Sequence, residues 1–205
     1  MKREKFIVID GGEGAGKTAV LKWFAEIPFG KKFLLTHEPG GTPFADRIRA
    51  LALSKEAAKA GAETQFGLMW AARVDHLQHK ILPALEKGKN VICDRFDSAT
   101  YAYQIRAQGA EHLEDLFWQT REKFLDAVKP DLYIFFDVES EEGLRRVANR
   151  KGKKTHFDER KLDFHKKVRA GFLDFFKNVP HKIIDANQYL KAVKSDFLEC
   201  VKMAL

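Results

Sequence analysis

The octet Gly11-Gly12-Glu13-Gly14-Ala15-Gly16-Lys17-Thr18 has the spacing G-x-x-x-x-G-K-[ST] and stands between two segments of opposite character. Ahead of it, Phe6-Ile7-Val8-Ile9 is a short, β-branched apolar run ended by Asp10-Gly11-Gly12, which reads as a buried strand entering a loop. Behind it, Lys17 to Glu26 has helical content. Strand, glycine-rich loop and helix in that order form a cradle for phosphate groups. Glycines let the backbone wrap close enough for its amides to face phosphate oxygens, and the helix N-terminus adds partial positive charge. Lys17 is expected to reach the β- and γ-phosphates of a nucleoside triphosphate, and the Thr18 hydroxyl is placed to ligate Mg2+. All eight residues, Gly11, Gly12, Glu13, Gly14, Ala15, Gly16, Lys17 and Thr18, are therefore candidate nucleotide-binding positions. The motif speaks for triphosphate binding and leaves open what happens to the γ-phosphate.

The rest of the chain supports the same architecture. Phe33-Leu34-Leu35, Val91-Ile92-Cys93, Leu132 to Phe136 and Ile183-Ile184 are four further short apolar runs separated by helical stretches. In the longest of these stretches Phe66, Trp70, Val74, Leu77, Ile81 and Leu85 recur at steps of three or four, an amphipathic stripe. Pro83 is placed to kink its last turn, and Gly88 supplies the stop. Strands this short and continuously apolar, alternating with helices, imply an α/β fold: a parallel five-stranded sheet with helices on both faces. At 205 residues without repeats or an interdomain linker, one domain spanning 1–205 is expected. The longest uninterrupted apolar stretches are about five residues, against ~20 for a bilayer span. Asp10 cuts the N-terminal apolar run far short of a signal segment. Two cysteines, Cys93 and Cys200, without a CxxC or a Cys/His cluster argue against a disulfide framework or a structural zinc site. A cytoplasmic chain is the expectation.

The net charge of +7 is concentrated in one segment. Between Arg145 and Arg169 eleven basic residues face three acidic ones, so this window carries +8 and the remainder is near −1. A solvated helix face and a cationic flap over a polyanionic small molecule are both open readings. Nucleic-acid binding ranks below them, because no recognition signature or interleaved aromatic platform accompanies the charge. The polar break from Arg150 to Thr155 lies inside the window, and a basic lid over roughly residues 146–160 is expected there.

No [NT]KxD element is present to read guanine, the nearest string being Val128-Lys129-Pro130-Asp131. A kinase of small phosphate acceptors suits the size and the charged flap. Thr36-His37-Glu38-Pro39-Gly40-Gly41-Thr42, then Asp94-Arg95-Phe96 followed by Ala102-Tyr103-Gln104, resembles thymidylate kinase. The likeness continues through Phe164–Phe172 and Ile184-Asp185-Ala186-Asn187-Gln188, so it covers nearly the whole chain. The Glu-Gly-Ala-Gly interior of the P-loop resembles the bacterial-type subgroup, in which the catalytic arginine comes from the lid. The resemblance implies transfer of the ATP γ-phosphoryl group to the 5′-phosphate of dTMP with Mg2+, by a cytoplasmic homodimer packed through the long amphipathic helix. An acceptor phosphate with a second pKa of ~6 is largely dianionic at neutral pH and needs no general base. Catalysis then rests on positioning and charge neutralisation.

The resemblance also implies residue roles. Asp94, ending the third apolar run, would serve the Mg2+ shell, and Arg95 would clamp the acceptor phosphate. Asp137 ends another strand and competes for the metal role, or caps a helix. Asp10 and Glu13 would face the sugar and the metal–phosphate region, or serve turn formation. Glu38, Pro39 and Arg49 belong to the acceptor side. Met69 and Arg73, four residues apart, share a helical face. In the family an aromatic residue in the place of Met69 stacks on thymine and the arginine reads its edge. Trp70, displaced by about 100° around the helix, is assigned to core or subunit packing. Thr100 or Gln104 would hydrogen-bond the base, and Tyr103 would crowd the ribose 2′ position. His37 and His156 stand where many family members carry arginine. Lys17, Arg95 and a lid arginine would carry the catalysis, with Arg150 the first choice for the lid and Arg146 and Arg160 its rivals.

Overall fold

The structure is a computed structural model and describes residues 4–54, 56–126, 128–149 and 156–205. In chain order its elements are β1 (Phe6–Gly11), α1 (Lys17–Glu26), β2 (Phe33–His37), α2 (Pro43–Ala52), α3 (Ala62–His76), α4 (Leu82–Glu86), β3 (Asn90–Asp94), α5 (Asp97–Thr100), α6 (Glu114–Leu125), β4 (Leu132–Asp137), α7 (Ser140–Ala148), α8 (Leu162–Phe176), β5 (His181–Asp185) and α9 (Leu190–Ala204). The strands form one parallel sheet in the order β2-β3-β1-β4-β5. All five apolar runs read from the sequence are strands of it.

Both faces of the three central strands, β3, β1 and β4, are buried, which is why they lack polar alternation, while the edge strand β5 is largely exposed. Side chains on a strand alternate sides. Phe6 and Val8 of β1 join Val91, Cys93, Tyr133 and Phe135 in a core layer closed by α3, α6 and α8. Ile7 and Ile9 join Ile92, Ile134 and Phe136 in the other, closed by Val20 and Phe24 of α1 and Val193, Phe197 and Val201 of α9. In-register pairing brings the strand ends level: Ile9 lies opposite Asp94, His37 opposite Asp94, and Gly11 opposite Phe136. The carboxyl edge of the sheet therefore gathers Asp10, His37, Asp94 and the start of the glycine-rich loop, as expected for the ligand-binding edge of a parallel sheet.

Two local features orient this edge. The long stripe predicted between Phe66 and Leu85 is broken: α3 runs into a π-helical turn, Leu77–Ile81, before α4. The widened turn sits directly ahead of Pro83, whose missing N–H and bulky ring do not fit a continuous α-helix. At the other side, the short α5 is tied down by a buried triad. Arg121 Nε donates to Asp97 Oδ2 at 2.6 Å and the Tyr133 hydroxyl donates to Asp97 Oδ1 at 2.6 Å. These bonds hold the start of α5, and hence Arg95 two residues earlier, against α6 and β4.

The basic window is less open than its charge count suggests. Arg145 and Arg146 both pair with Glu142, Lys166 with Glu141, and Arg169 with Asp137 and Glu139. The neutralising acids lie just upstream of the window, so a count over residues 145–169 misses them. Among the described residues no helix is long and apolar enough to cross a membrane.

Candidate active site

The glycine-rich loop leaves β1 and enters α1 without a side-chain cap, so the first backbone amides of α1 are available to a ligand. Gly14 has φ of 73°, and a Cβ on it would meet Gly143 O at 2.2 Å. Gly143 faces it from α7, where a Cβ would meet Glu13 O at 2.3 Å. The loop and α7 thus approach backbone to backbone, with room for hydrogen alone on either side. Lys17 is buried and its Nζ donates to Gly11 O at 3.0 Å, back across the loop. Burial, with Arg95 nearby, holds its pKa below the usual lysine value. Thr18 is exposed in the first turn of α1.

Next to this loop a cavity of about 480 Å³ opens between the carboxyl edge of the sheet, α3 and the segment that follows β3. Its wall includes Glu13, Lys17, Thr18, Glu38, Pro39, Arg49, Met69, Arg73, Asp94, Arg95, Thr100, Tyr103 and Gln104. The structure therefore brings together most of the residues singled out from the sequence. Asp10 lies beneath it, fully buried, accepting a hydrogen bond from Ser98 and with Oδ1 3.9 Å from Arg95 Nη1. Gly11, Gly12, Gly14, Ala15 and Gly16 complete the loop beside the cavity rather than its wall.

Arg95 is the electrostatic centre of the site. It adopts φ of 68°, a left-handed conformation uncommon outside glycine, and its N–H donates to Ile9 O at 2.9 Å as if extending β3. Its Nη2 donates to Glu13 Oε1 at 2.8 Å, and the same oxygen accepts from the Tyr103 hydroxyl at 2.8 Å. The guanidinium carbon stands 5.2 Å from the Tyr103 ring centre. Burial opposes its charge, but Tyr103, Glu13, Asp10 and Asp94 outweigh that and raise its pKa further. Glu13 shows the complement: burial pushes it up, and Arg95 and Lys17 pull it below the usual carboxylate range. For Asp10 burial wins, and its carboxyl is pushed up to about 7.

On the far wall Arg73, 2% exposed, donates through Nε to Glu38 Oε2 at 2.9 Å and through Nη2 to Thr100 Oγ1 at 3.1 Å. Trp70 is buried, as assigned, and its ring lies 4.6 Å from the Arg73 guanidinium, so it backs the arginine from the core. Met69 faces the cavity. Arg49 Nη1 donates to Pro39 O at 2.7 Å across the cis Glu38–Pro39 turn.

Some polar atoms here lack a partner. Asp94 Oδ1, Asp10 Oδ1, Arg95 Nη1 and Arg73 Nη1 are buried without a hydrogen bond among the described residues. Buried polar groups are ordinarily satisfied, so a cluster of orphans around one cavity marks a ligand site. Asp94 Oδ1 and the exposed Thr18 hydroxyl form a hard oxygen pair that fits a Mg2+ ion completing its shell with phosphate and water.

Several expectations change. Asp137 neither caps a helix nor faces this cavity. Arg169 grips both its oxygens, Nε at 2.6 Å and Nη2 at 2.9 Å, which removes it from the metal role. Arg146 donates to Glu142, to Ala186 O and to Gly14 O at the back of the glycine-rich loop, while Arg160 stacks over Phe164 at 4.4 Å. Arg150 lies outside the described residues. His37 is half exposed with Asp46 3.8 Å away, and burial keeps its pKa below the ordinary histidine value. His156 reaches Ala52 O at 3.3 Å. The sequence does not point to Leu53, Phe96 or Ala99 in the wall, nor to Ser98 and His76 behind it, whereas Phe157 and Asp158 of the wall belong to the expected lid segment. Phe157, in the segment expected to form a lid, packs edge-on against Tyr103 at 5.2 Å and lines the cavity. An apolar residue or a lone serine carries no chemical pattern by which sequence inspection could select it.

A phosphate cradle on β1–α1, joined at the same sheet edge to a second cavity carrying arginines, defines a P-loop nucleoside monophosphate kinase. A thymidylate kinase family model matches residues 9–197, and the chain belongs to that family. It is 39% identical over 211 residues to the thymidylate kinase of Alkalilimnicola ehrlichii, covering 100% of this chain and 95% of that one. It is 40% identical over 213 residues to the thymidylate kinase of Leuconostoc citreum, with 100% and 98% covered. The crystal structure of thymidylate kinase from Ehrlichia chaffeensis superposes with a TM-score of 0.73 at 28% identity, over 98% of this chain and 99% of that one.

Proposed function

We propose that the protein transfers the γ-phosphoryl group of ATP to the 5′-phosphate of dTMP, giving dTDP and ADP. The observation that carries this reading is the junction of two anion sites at one sheet edge. Lys17 and the loop amides lie at one end of the cavity and Arg95 at its floor, with Arg73 and Met69 on the far wall. In this arrangement Lys17 leaves Gly11 O for the β- and γ-phosphates. Arg95 exchanges Glu13 for the acceptor phosphate, and Tyr103 and Glu13 border the sugar. Arg73 Nη1 and the hydroxyl or amide of Thr100 or Gln104 face the base. Thr18 and Asp94 would hold Mg2+, which when bound supplies charge neutralisation between the phosphates. Positioned cations and amides suffice because the acceptor is itself a dianion. Arg150 remains the first choice for the lid arginine that completes the site, with Arg146, which touches Gly14 O of the loop, and Arg160 as its rivals.

We further read residues 1–205 as one domain with a lid over about 146–160, working in the cytoplasm as a homodimer. Leu116 and Phe124 of α6 are exposed, Phe124 in ring contact with Trp70 of α3 at 6.1 Å, and supply apolar surface for a second copy.

Met69 in place of a stacking ring favours one second reading, an acceptor other than dTMP. A flexible thioether covers a base face adaptably. Pure protein with ATP and Mg2+ should convert dTMP faster than dUMP, dCMP, UMP or thymidine. Failure with dTMP alongside rapid turnover of another acceptor refutes the dTMP assignment. Equal use of UMP and dUMP refutes the role given to Tyr103.

A further inference from the structure

Behind the acceptor wall, the polar groups packed between α3 and the end of β2 form one connected chain of hydrogen bonds that meets at Glu38, which accepts from both sides. A carboxylate only accepts, so His76 Nδ1, 3.1 Å from Glu38 Oε1, carries a proton and donates. Arg73 already neutralises Glu38 through Nε at 2.9 Å, and His76 is 0% exposed. A second cation there would be a buried charge without compensation, which is costly. With its proton on Nδ1, the imidazole leaves Nε2 to accept from the Thr36 hydroxyl at 2.7 Å. The chain runs from Thr36 through His76 and Glu38 to Arg73, and from Arg73 Nη2 to Thr100 Oγ1 at 3.1 Å.

This chain determines how the Arg73 guanidinium is turned. Trp70 and Phe96, 4.6 and 5.1 Å from its carbon, restrict where the group lies. Rotation about its own axis is set by what Nε and Nη2 bind, namely Glu38 and Thr100. Nη1 is left as the buried nitrogen without a partner. Glu38 can perform this only if its own carboxylate is held, and His76 occupies its second oxygen. We propose that His76 is a positioning residue for acceptor recognition: through Glu38 it fixes the rotation of Arg73 that presents Nη1 to the acceptor base. The inference rests on reading this cavity as the dTMP site.

Substitutions at His76 separate its two hydrogen bonds. An asparagine places its amide nitrogen near the position of Nδ1 and keeps a donor for Glu38, while a glutamine reaches toward Thr36 instead. A leucine supplies neither. His76→Leu and His76→Gln are expected to raise the KM for dTMP by about tenfold or more, the range set by leaving a buried partner unsatisfied. His76→Asn should recover most of that loss, and the KM for ATP should stay within about twofold of wild type in all three. A rise in both KM values together, or equal behaviour of the asparagine and glutamine variants, overturns the positioning role in favour of a packing role. Nitrogen-15 NMR of the unliganded wild-type protein tests the same chain without mutation. A protonated Nδ1 and an unprotonated Nε2 are expected, and a proton on Nε2 alone overturns the proposal. Absence of dTMP turnover by wild type would instead refute the function reading and leave the tautomer result standing on its own.

Discussion

Replacing Gly143 by alanine tests how closely α7 supports the phosphate cradle. A Cβ at this position would stand 2.3 Å from Glu13 O and 3.3 Å from Val138 Cγ1. The first distance is at least 0.7 Å shorter than real Cβ contacts tolerate, and the atom it meets is backbone, so no side chain can swing aside. The loop is equally unable to yield at Gly14, whose own Cα hydrogens face Gly143 across the contact with Gly143 O. Either α7 or residues 13–14 must move by several tenths of an ångström. Overpacking of this kind costs about 1–3 kcal/mol, which at roughly 2–4 °C per kcal/mol for a chain of this size lowers Tm by roughly 2–12 °C. Displaced loop amides also grip the phosphates less well. Misplacement near 1 Å is worth up to ~100-fold, so an increase in the KM for ATP on the order of tenfold is expected, with the KM for dTMP nearly unchanged. Differential scanning fluorimetry and steady-state kinetics with each substrate varied in turn provide the check. Wild-type Tm together with wild-type KM for ATP would refute the claim that the helix glycine shapes the cradle.

The remaining predictions concern charge. Lys17→Ala should lower kcat by at least ~100-fold while circular dichroism stays native, because the lysine stabilises charge moving between phosphates; near-normal turnover would remove it from catalysis. Arg121→Met leaves the fully buried Asp97 without its cation and should destabilise the fold by about 3–5 kcal/mol, measured by urea unfolding; a stability equal to wild type would refute the buried pair's role. Asp10 has a carboxyl pushed up to about 7 by burial, so the folded chain binds its proton more tightly than the unfolded chain does. Its contribution to stability is therefore present below about pH 4 and is lost as pH rises toward 7, by up to ~1.4 kcal/mol per pH unit. Asp10→Asn escapes that loss, and its stability relative to wild type should grow between pH 5 and pH 8; a constant difference across that range would refute the assignment.

Much of this protein is legible from the order of its residues. The central strands β1, β3 and β4 are short apolar runs because both their faces are covered, and that condition imprints itself on local composition. The glycine-rich octet declares its chemistry because amides can surround a phosphate only where side chains are absent. Spacing and resemblance point to Arg73, Arg95, Tyr103 and Gln104, and the structure gathers them around one cavity.

Tertiary structure decided the rest. Part of the charge of the basic segment is met across elements, Lys166 by Glu141 and Arg169 by Asp137 and Glu139, contacts that depend on proximity in space. Asp94 and Asp137 are the same residue type at equivalent strand ends, yet Arg169 reaches across from α8 to engage only the latter, leaving Asp94 Oδ1 bare at the cavity. His76, Ser98 and Gly143 carry no signal in the sequence, since each acts through contacts made by distant elements. Sequence specifies which groups are available and how the backbone repeats. Which of them remain unpaired is set by packing, because a buried polar atom is satisfied or orphaned by neighbours that the chain brings together only on folding.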